Sequence, residues 1–499
     1  MAKSPQGKSG KGSVYRRGFL KSAAAGTAAL IGTPSVTKAQ DTPQRKATPL
    51  PSAAQAVAET SAPPSRDVYT TDRPGSDFMV DVIKSLGFEY IAANPGSSFR
   101  GLHESIINYG GNRSPELLTC CHEESSVAMA HGYAKIEGKP LMVMAHGTVG
   151  LQHASMAIYN AYADRVPVYI VLGNIQDVAF RRSLVEWTHS VQDAAAMVRD
   201  YTKWDDAPVS LGHFAESAVR AYKIAMAPAM GPVVIVADAV LQEEPIPMAD
   251  RRSLRVPKLN LFTPPAGDSG AVAEIARMLV NAENPVIIAG RTARTPEGVK
   301  LLVELAETLQ APVQDRGFRF RMNFPTRHPL YDGGSIEDAD VILALEVPDF
   351  WQVTHAQTPV NRMGMEVRST TKPGAKLITI SAADLPMKSN YQDFGRYAEV
   401  DLAIAADAEA TLPALIEAVK RLITTDRKAA FQQRGAKLAE AARKAREKTV
   451  DQAAWGWDAS PISTARLSAE LWNQVKDDDW SLVSDIVFLS HWPARLWDF

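Results

Sequence analysis

Short apolar runs alternate with longer amphipathic stretches from about residue 75 to about residue 405. Runs of this kind, bounded by Gly, Pro and polar clusters, are typical of strands buried in parallel sheets, and the stretches between them suit crossover helices. The pattern predicts an α/β fold of successive doubly wound parallel-sheet domains. The strand candidates are residues 90–93, 117–121, 141–145, 167–173, 232–238, 285–290, 311–315, 340–347 and 376–382.

Breaks in this alternation predict the domain boundaries. The proline-punctuated stretch around residues 243–267 indicates a linker, and the charged, Ala-rich stretch 426–448 indicates a solvated connecting helix. The predicted units are a first sheet domain (75–245), a linker (246–267), a central α/β domain (268–405), a helical connector (406–458) and the incomplete beginning of a third domain (459–499), whose first strand would be 484–490.

The first forty residues differ from the rest of the chain. Arg16 and Arg17 precede Phe19-Leu20-Lys21 and a weakly apolar run, a pattern that resembles a twin-arginine export signal ending near Ala39. A disordered basic tail is the alternative. We therefore expect residues 1–40 to be a signal peptide, residues 41–74 a flexible linker, and the protein to be periplasmic.

Composition excludes some partners. The 499 residues carry 54 basic and 56 acidic side chains, so nothing favours nucleic acid or an anionic surface. No stretch approaches the roughly 20 apolar residues of a membrane helix, so no membrane span is expected. The two cysteines, Cys120 and Cys121, are adjacent, and we expect two buried thiols with no disulfide.

Polar residues follow three consecutive predicted strands. Ser97 lies in "AANPGSS", Glu123 in "HEE" and His146 in "HGT", at the carboxyl ends where α/β sheets build their sites. Each has a structural alternative, because a helix-start acid, a turn histidine and a cap serine are all common. GxGxxG, Walker, HExxH and CxxC motifs do not occur in the sequence, which argues against a simple dehydrogenase or kinase.

Longer motifs carry a family resemblance. "HEESSVAMAHGYAK", "GKPLMVMAHGTVG" and "AYADRVPVYIVLGN" resemble the pyrimidine-binding domain of thiamin-diphosphate-dependent enzymes of the acetolactate synthase and benzoylformate decarboxylase kind. Residues from about 285 to 347 resemble the central domain of that family, so the resemblance covers roughly residues 75–405. The family has a glutamate nine residues before the Gly of "GYA", and counting back from Gly132 selects Glu123 rather than Glu124.

The resemblance implies roles for individual residues. Glu123 would contact N1′ of the cofactor and Pro95 and Gly96 would lie against it. Ser97 would bind the substrate carboxylate, and His146 and His328 would carry protons. The "HP" at His328 also recurs in the family for structural reasons, which leaves its role open. Apolar surroundings suit Glu123, because burial disfavours the charge of a carboxyl that must share a proton.

Part of the family's site does not occur in this sequence. The GDG and later Asn that hold Mg²⁺ and the diphosphate have no counterpart here, and no residue decides for FAD, which we do not expect. We expect thiamin diphosphate with Mg²⁺, a small 2-oxo acid as substrate, and a homo-oligomer or a hetero-oligomer with a chain carrying the diphosphate domain. The reaction would be decarboxylation or carboligation; the alternative is a non-catalytic scaffold or a truncated, inactive member.

Overall fold

Two parallel β-sheets with helices packed on their faces dominate the described part of the chain. The computed structural model describes residues 73–316, 322–331, 335–362, 364–383, 396–483 and 491–499. The predicted signal peptide (1–40), the predicted linker up to residue 72 and the predicted strand 484–490 lie outside these residues. The predicted doubly wound α/β fold is confirmed.

The first sheet has six parallel strands in the order β2-β1-β3-β4-β6-β5. Its strands are β1 (Tyr90–Ala93), β2 (Glu116–Thr119), β3 (Met142–Ala145), β4 (Tyr169–Asn174), β5 (Trp204–Asp206) and β6 (Val233–Asp238). Its helices are α1 (Gly75–Ser85), α2 (Arg100–Glu104), α3 (Glu123–Glu137), α4 (Gly147–Ala163), α5 (Glu186–His189), α6 (Leu211–Met226) and α7 (Ala239–Glu243).

Burial explains why these runs form central strands. Every residue of β3, β4 and β6 is buried, as expected when helices cover both faces of a parallel sheet. Helices α1 and α6 cover one face, with Met79 and Phe214 in the core, and α3 and α4 cover the other, with Val127 and Leu151. Segment 246–267 follows and contains no strand. It includes one short 3₁₀ helix, Asp250–Arg252.

The second sheet has five parallel strands in the order β13-β12-β9-β7-β8. Its strands are β7 (Pro285–Ala289), β8 (Val313–Asp315), β9 (Val341–Leu345), β12 (Lys376–Ile380) and β13 (Leu402–Ile404), and an antiparallel pair is formed by β10 (His355–Pro359) and β11 (Met365–Ser369). Its helices are α8 (Ser269–Asn281), α9 (Pro296–Leu309), α10 (Phe350–Thr354) and α11 (Ala408–Leu422).

All nine strand candidates correspond to strands of the two sheets. The pattern did not predict β5, β10, β11 and β13. Strands β5 and β13 have only three residues each, and the β10–β11 pair is mostly exposed and therefore lacks an apolar run. Helix α11, which falls in the predicted connector, buries Leu412, Leu415 and Ile416 in the central core.

The charged helix predicted at 426–448 is α12 (Thr425–Ala453). Most of its surface is exposed, but two arginines attach its first half to the central domain. Arg427 donates to the carbonyls of Val280 and Ala282, and Arg434 donates to those of Leu309 and Gln310. These are carbonyls at the carboxyl ends of α8 and α9, which lack intrahelical partners. Burial lowers the pKa of Arg434 to about 10.

Aromatic side chains form a cluster near the end of the described residues. Helices α13 (Thr464–Val475) and α14 (Trp492–Leu496) contribute to it. Trp472 stacks on Trp497 with ring centroids 5.5 Å apart, Trp480 and Phe499 pack edge to face, and Trp497 is buried. The backbone N–H of Phe499 donates to Thr326 Oγ1 of the central domain at 3.2 Å.

Buried charged groups connect the two sheet domains. Arg291 donates from Nη2 to the carbonyl of Ala163 at 2.6 Å, and Arg165 Nη1 lies 3.7 Å from Glu346 Oε2. Burial raises the pKa of Glu346, which also accepts hydrogen bonds from Ser381 and neighbouring backbone. None of the helices within the described ranges is both long and apolar enough for a membrane crossing.

The Arg434 contacts generate a stability prediction. Arg434→Met removes the hydrogen-bond donor from the carbonyls that the Arg434 side chain covers. We expect this substitution to lower the free energy of unfolding by about 2 kcal/mol. Arg443→Met on the same helix is the matched control, since the ion pairs of Arg443 within the described ranges are with exposed Glu440 and Glu447. Urea unfolding monitored by circular dichroism measures both; equal destabilisation would contradict the anchoring role.

Candidate active site at the switch point of the first sheet

The candidate site lies where the strand order of the first sheet changes direction. From β1 the chain continues to β2 on one side and then to β3 on the other side. The carboxyl ends of β1 and β3 therefore diverge into a crevice, the usual ligand position of a doubly wound sheet. The segment that contains Ser97 follows β1, and His146 follows β3.

A serine hydroxyl links these two strand ends, and it belongs to Ser98 rather than Ser97. Ser98 Oγ accepts the backbone N–H of Gly147 at 3.0 Å and lies 2.8 Å from His146 Nδ1. The Ser98 backbone N–H also points to Nδ1, at 3.4 Å. Nδ1 is thus the acceptor, which leaves the proton of the neutral ring on Nε2.

The approach of His146 explains the glycine that precedes the two serines. A Cβ added to Gly96 would lie 2.4 Å from His146 Cβ, a distance that no side chain can occupy. Pro95 and Ser97 are exposed on either side of it, whereas Ser98 is buried. The loop after β1 therefore fits tightly against His146 and presents Ser97 outward.

Ser97 and His146 line one cavity of about 130 Å³. Both arginines that line it are paired, Arg100 with Glu243 at 2.7 Å and Arg182 with Glu186 at 3.1 Å. Glu244 adds a further acid to the lining, and the other polar groups there are hydroxyls and imidazoles. Since neither arginine is left without an acidic partner, a small molecule would bind in this cavity through neutral donors.

A second histidine, His189 at the end of α5, lies beside the first. The two ring centroids are 4.6 Å apart with the planes tilted by 58°, and His189 lines the same cavity. His189 Nδ1 is buried and has no hydrogen-bond partner within the described ranges. Burial, followed by the neighbouring His189, lowers the pKa of His146. His146 is therefore held neutral to a lower pH than a free imidazole.

Glu123 begins helix α3, and His122 caps that helix by accepting the Glu124 backbone N–H. Glu123 as a residue is 3% exposed, and its Oε2 has no hydrogen-bond partner among the residues that the structure describes. A Cβ added to Gly150 would lie 2.8 Å from Glu123 Oε1 and 3.2 Å from His146 Cβ. Glu123 and His146 are therefore neighbours across the small surface that Gly150 leaves on α4.

His328 lies in the central domain, and its contacts are with that domain. Its Nε2 is 3.3 Å from Glu307 Oε1, its Nδ1 accepts the Leu330 backbone N–H at 3.2 Å, and its ring packs edge-on against Phe324. None of these contacts involves the cavity at His146. The structure thus brings together Ser97, Gly96, Glu123 and His146, and it places His328 elsewhere.

Sequence reasoning missed Ser98 and His189, and it also missed His122 and His153, which lie beside the Glu123 carboxyl. The doubled serine of "NPGSS" contained the signal for Ser98, but strand ends alone do not tell which of the two faces inward. His189 follows a loop whose path the pattern could not predict. The expectation of two buried thiols was wrong for Cys121, which is exposed while Cys120 is buried.

Comparison with known families identifies both sheet domains. Residues 73–197 match the N-terminal TPP binding domain of thiamine pyrophosphate enzymes. Residues 272–415 match the central domain of thiamine pyrophosphate enzymes. Together these matches cover more than half of the chain.

Individual relatives are more distant. The acetolactate synthase of Bacillus subtilis is 23% identical over 339 residues, which are 64% of this chain and 56% of that protein. The sulfoacetaldehyde acetyltransferase of Rhodobacter capsulatus is 27% identical over 281 residues, 54% of this chain and 44% of that protein. The chain thus spans only about half the length of these relatives.

Solved structures agree on the fold. A benzoylformate decarboxylase from Polynucleobacter necessarius aligns with a TM-score of 0.56 at 23% identity, covering 70% of this chain and 61% of that one. A putative thiamin diphosphate-dependent enzyme from Mycobacterium smegmatis aligns with a TM-score of 0.55, also at 23% identity, covering 70% and 63%. With both domain matches in order along one polypeptide, the chain belongs to the thiamine pyrophosphate enzyme family.

Proposed function

We propose that this protein takes part in thiamin-diphosphate-dependent decarboxylation or carboligation of a small 2-oxo acid. The observation that carries the proposal is the buried Glu123 carboxyl, which lies across Gly150 from His146 and whose Oε2 accepts no hydrogen bond from the residues that the structure describes. A buried carboxyl without a hydrogen bond is costly, and such groups concentrate where a ligand completes the bonding.

The residues present fit the pyrimidine half of the cofactor. Glu123 would accept or share a proton at the pyrimidine N1′, in surroundings where water does not compete. Thiamin diphosphate supplies a carbanion and an electron sink for cleavage next to a 2-oxo group. Mg²⁺ and diphosphate ligands of the GDG…Asn kind do not occur in residues 1–499, so in our proposal they come from outside this sequence.

The cavity residues would act on the substrate. The Ser97 hydroxyl lines the cavity and would donate to the substrate carboxylate, since the arginines nearby are paired. His146 would donate from Nε2–H to a reacting oxygen atom, because the Ser98 contacts occupy Nδ1. His189 would exchange protons with the same region. His328 stays a candidate proton carrier for a site completed by another chain, because its own contacts lie in the central domain.

Two further expectations complete the proposal. The twin-arginine pattern at residues 16–17 leads us to propose a periplasmic location, which fractionation of cells expressing the natural chain would test. A completing diphosphate domain leads us to propose a homo-oligomer or a hetero-oligomer.

Glu123→Gln should lower cofactor-dependent CO₂ release from pyruvate or benzoylformate in the complete assembly by at least about 100-fold. The reason is that an amide cannot share a proton with the pyrimidine N1′. Glu124→Gln is the matched control: Glu124 is the exposed neighbour on the same helical turn. Unchanged activity in Glu123→Gln would refute the assigned role. Calorimetry showing that the complete assembly binds no thiamin diphosphate would instead favour the scaffold alternative.

His189→Asn should move the acidic limb of kcat/KM to higher pH. Charge on His189 helps to lower the pKa of His146, so its removal raises that pKa and His146 becomes protonated at a higher pH. His213→Asn, an exposed histidine beside Asp206, should leave the limb in place. An unchanged pH profile in His189→Asn would show that the two rings are not coupled in catalysis.

A further inference from the structure

A cluster of possible metal ligands lies next to the proposed active site. One ligand atom each from His122, Glu123 and His153 lies within 4.8 Å of the other two. His122 caps α3, Glu123 is its first residue, and His153 faces them from α4. The two imidazole rings stack nearly parallel, with centroids 4.9 Å apart and planes 11° from parallel.

The carboxyl provides the second, independent observation. Glu123 is only 3% exposed, and its Oε2 has no hydrogen-bond partner within the described residues. His153 Nδ1 lies 3.4 Å from this oxygen. A buried acceptor with unused lone pairs therefore faces the space beside two imidazoles, and a cation placed there would compensate its desolvation.

The ligand types select the metal class. Imidazole nitrogen with one carboxylate oxygen suits Zn²⁺ and its first-row neighbours, whereas Mg²⁺ and Ca²⁺ prefer oxygen ligands alone. Bonds of about 2.0–2.1 Å to a tetrahedral ion place ligand atoms roughly 3.3 Å apart. The 3.4 Å separation of Glu123 Oε2 and His153 Nδ1 matches that edge. His122 must turn out of its stack on His153 to bind the same ion, because imidazole lone pairs lie in the ring planes and those of parallel rings do not converge.

We propose that His122, Glu123 and His153 bind one Zn²⁺ ion, with the fourth position open to solvent. His122 and His153 are exposed, so an ion can reach the site without an opening of the fold. In the metal-free chain, His122 Nδ1 accepts the Glu124 N–H at 3.2 Å, which keeps the ring proton on Nε2. Coordination through Nε2 moves that proton to Nδ1 and breaks one cap hydrogen bond, so zinc binding competes with the helix cap.

The zinc site shares Glu123 with the proposed cofactor site. A Glu123 carboxylate that binds zinc through Oε2 gives up much of its negative charge and can no longer share a proton with the pyrimidine N1′. We therefore expect zinc and thiamin diphosphate to exclude each other. This consequence alone rests on the proposed function. Zinc binding itself depends only on the three side chains, and free zinc would act as an inhibitor that competes with the cofactor.

Calorimetric titration of the cofactor-free full chain with ZnCl₂ tests the site. We expect one ion per chain, at least about 100-fold weaker binding in Glu123→Gln and His153→Asn, and a tetrahedral visible spectrum when Co²⁺ replaces Zn²⁺. His213→Asn is the matched control, because His213 and Asp206 form a half-buried pair that has no third metal-ligand side chain beside it among the residues that the structure describes. Zinc binding that survives both ligand substitutions, or an octahedral Co²⁺ spectrum, would overturn the proposal.

Inhibition separates this proposal from the proposed function. His153→Asn keeps Glu123, so the complete assembly should retain cofactor-dependent activity and lose its sensitivity to zinc. Zinc binding at Glu123 together with full activity of Glu123→Gln would refute the catalytic role and leave the metal site standing. Activity that requires Glu123, with zinc affinity equal in wild type and His153→Asn, would refute the metal site alone.

Discussion

The hydrogen bond between Ser98 and His146 joins the two strand ends on which the candidate site depends. A single hydroxyl accepts the Gly147 N–H and faces His146 Nδ1, so the loop after β1 and the start of α4 are fixed relative to each other. That bond also decides which nitrogen of His146 faces the cavity. The tight approach tolerates only glycine at position 96. The chemistry available at this crevice therefore follows from one buried polar contact.

Glu123 illustrates a second constraint, the cost of burying a carboxyl. It lies at a helix N-terminus, where the helix dipole favours negative charge, but its Oε2 has no hydrogen-bond partner among the described residues. An acid with only a structural role at a helix start would be exposed to water or hydrogen-bonded. Glu124, the next residue, is exposed in this way. The carboxyl has Oε1 against Gly150, on the side of His146, and Oε2 beside His153, and this double position links the cofactor proposal to the zinc proposal.

The central domain contributes differently. Its sheet, its helices and the first half of α12 form a separate core, and its polar contacts mostly satisfy helix ends and the boundary with the first domain. His328 belongs to this set, since a glutamate, a backbone N–H and an aromatic ring account for its contacts. Within one chain, His328 is a loop histidine whose ring is already in contact with other residues of its own domain. A catalytic role would require another chain to bring a substrate to it.

The sequence by itself determined the two parallel sheets, because buried strands must be continuous apolar runs and each strand end carries its polar residues to the same edge. The family resemblance, applied through the nine-residue spacing to Gly132, favoured Glu123 over Glu124 as the cofactor's partner. Only the tertiary structure decided that Ser98 faces inward, that His189 lines the cavity while His153 lies beside Glu123 outside it, and that His328 is remote from both. Those outcomes depend on loop paths and on contacts between residues far apart in the chain, such as Ser98 with His146, for which local pattern carries no information.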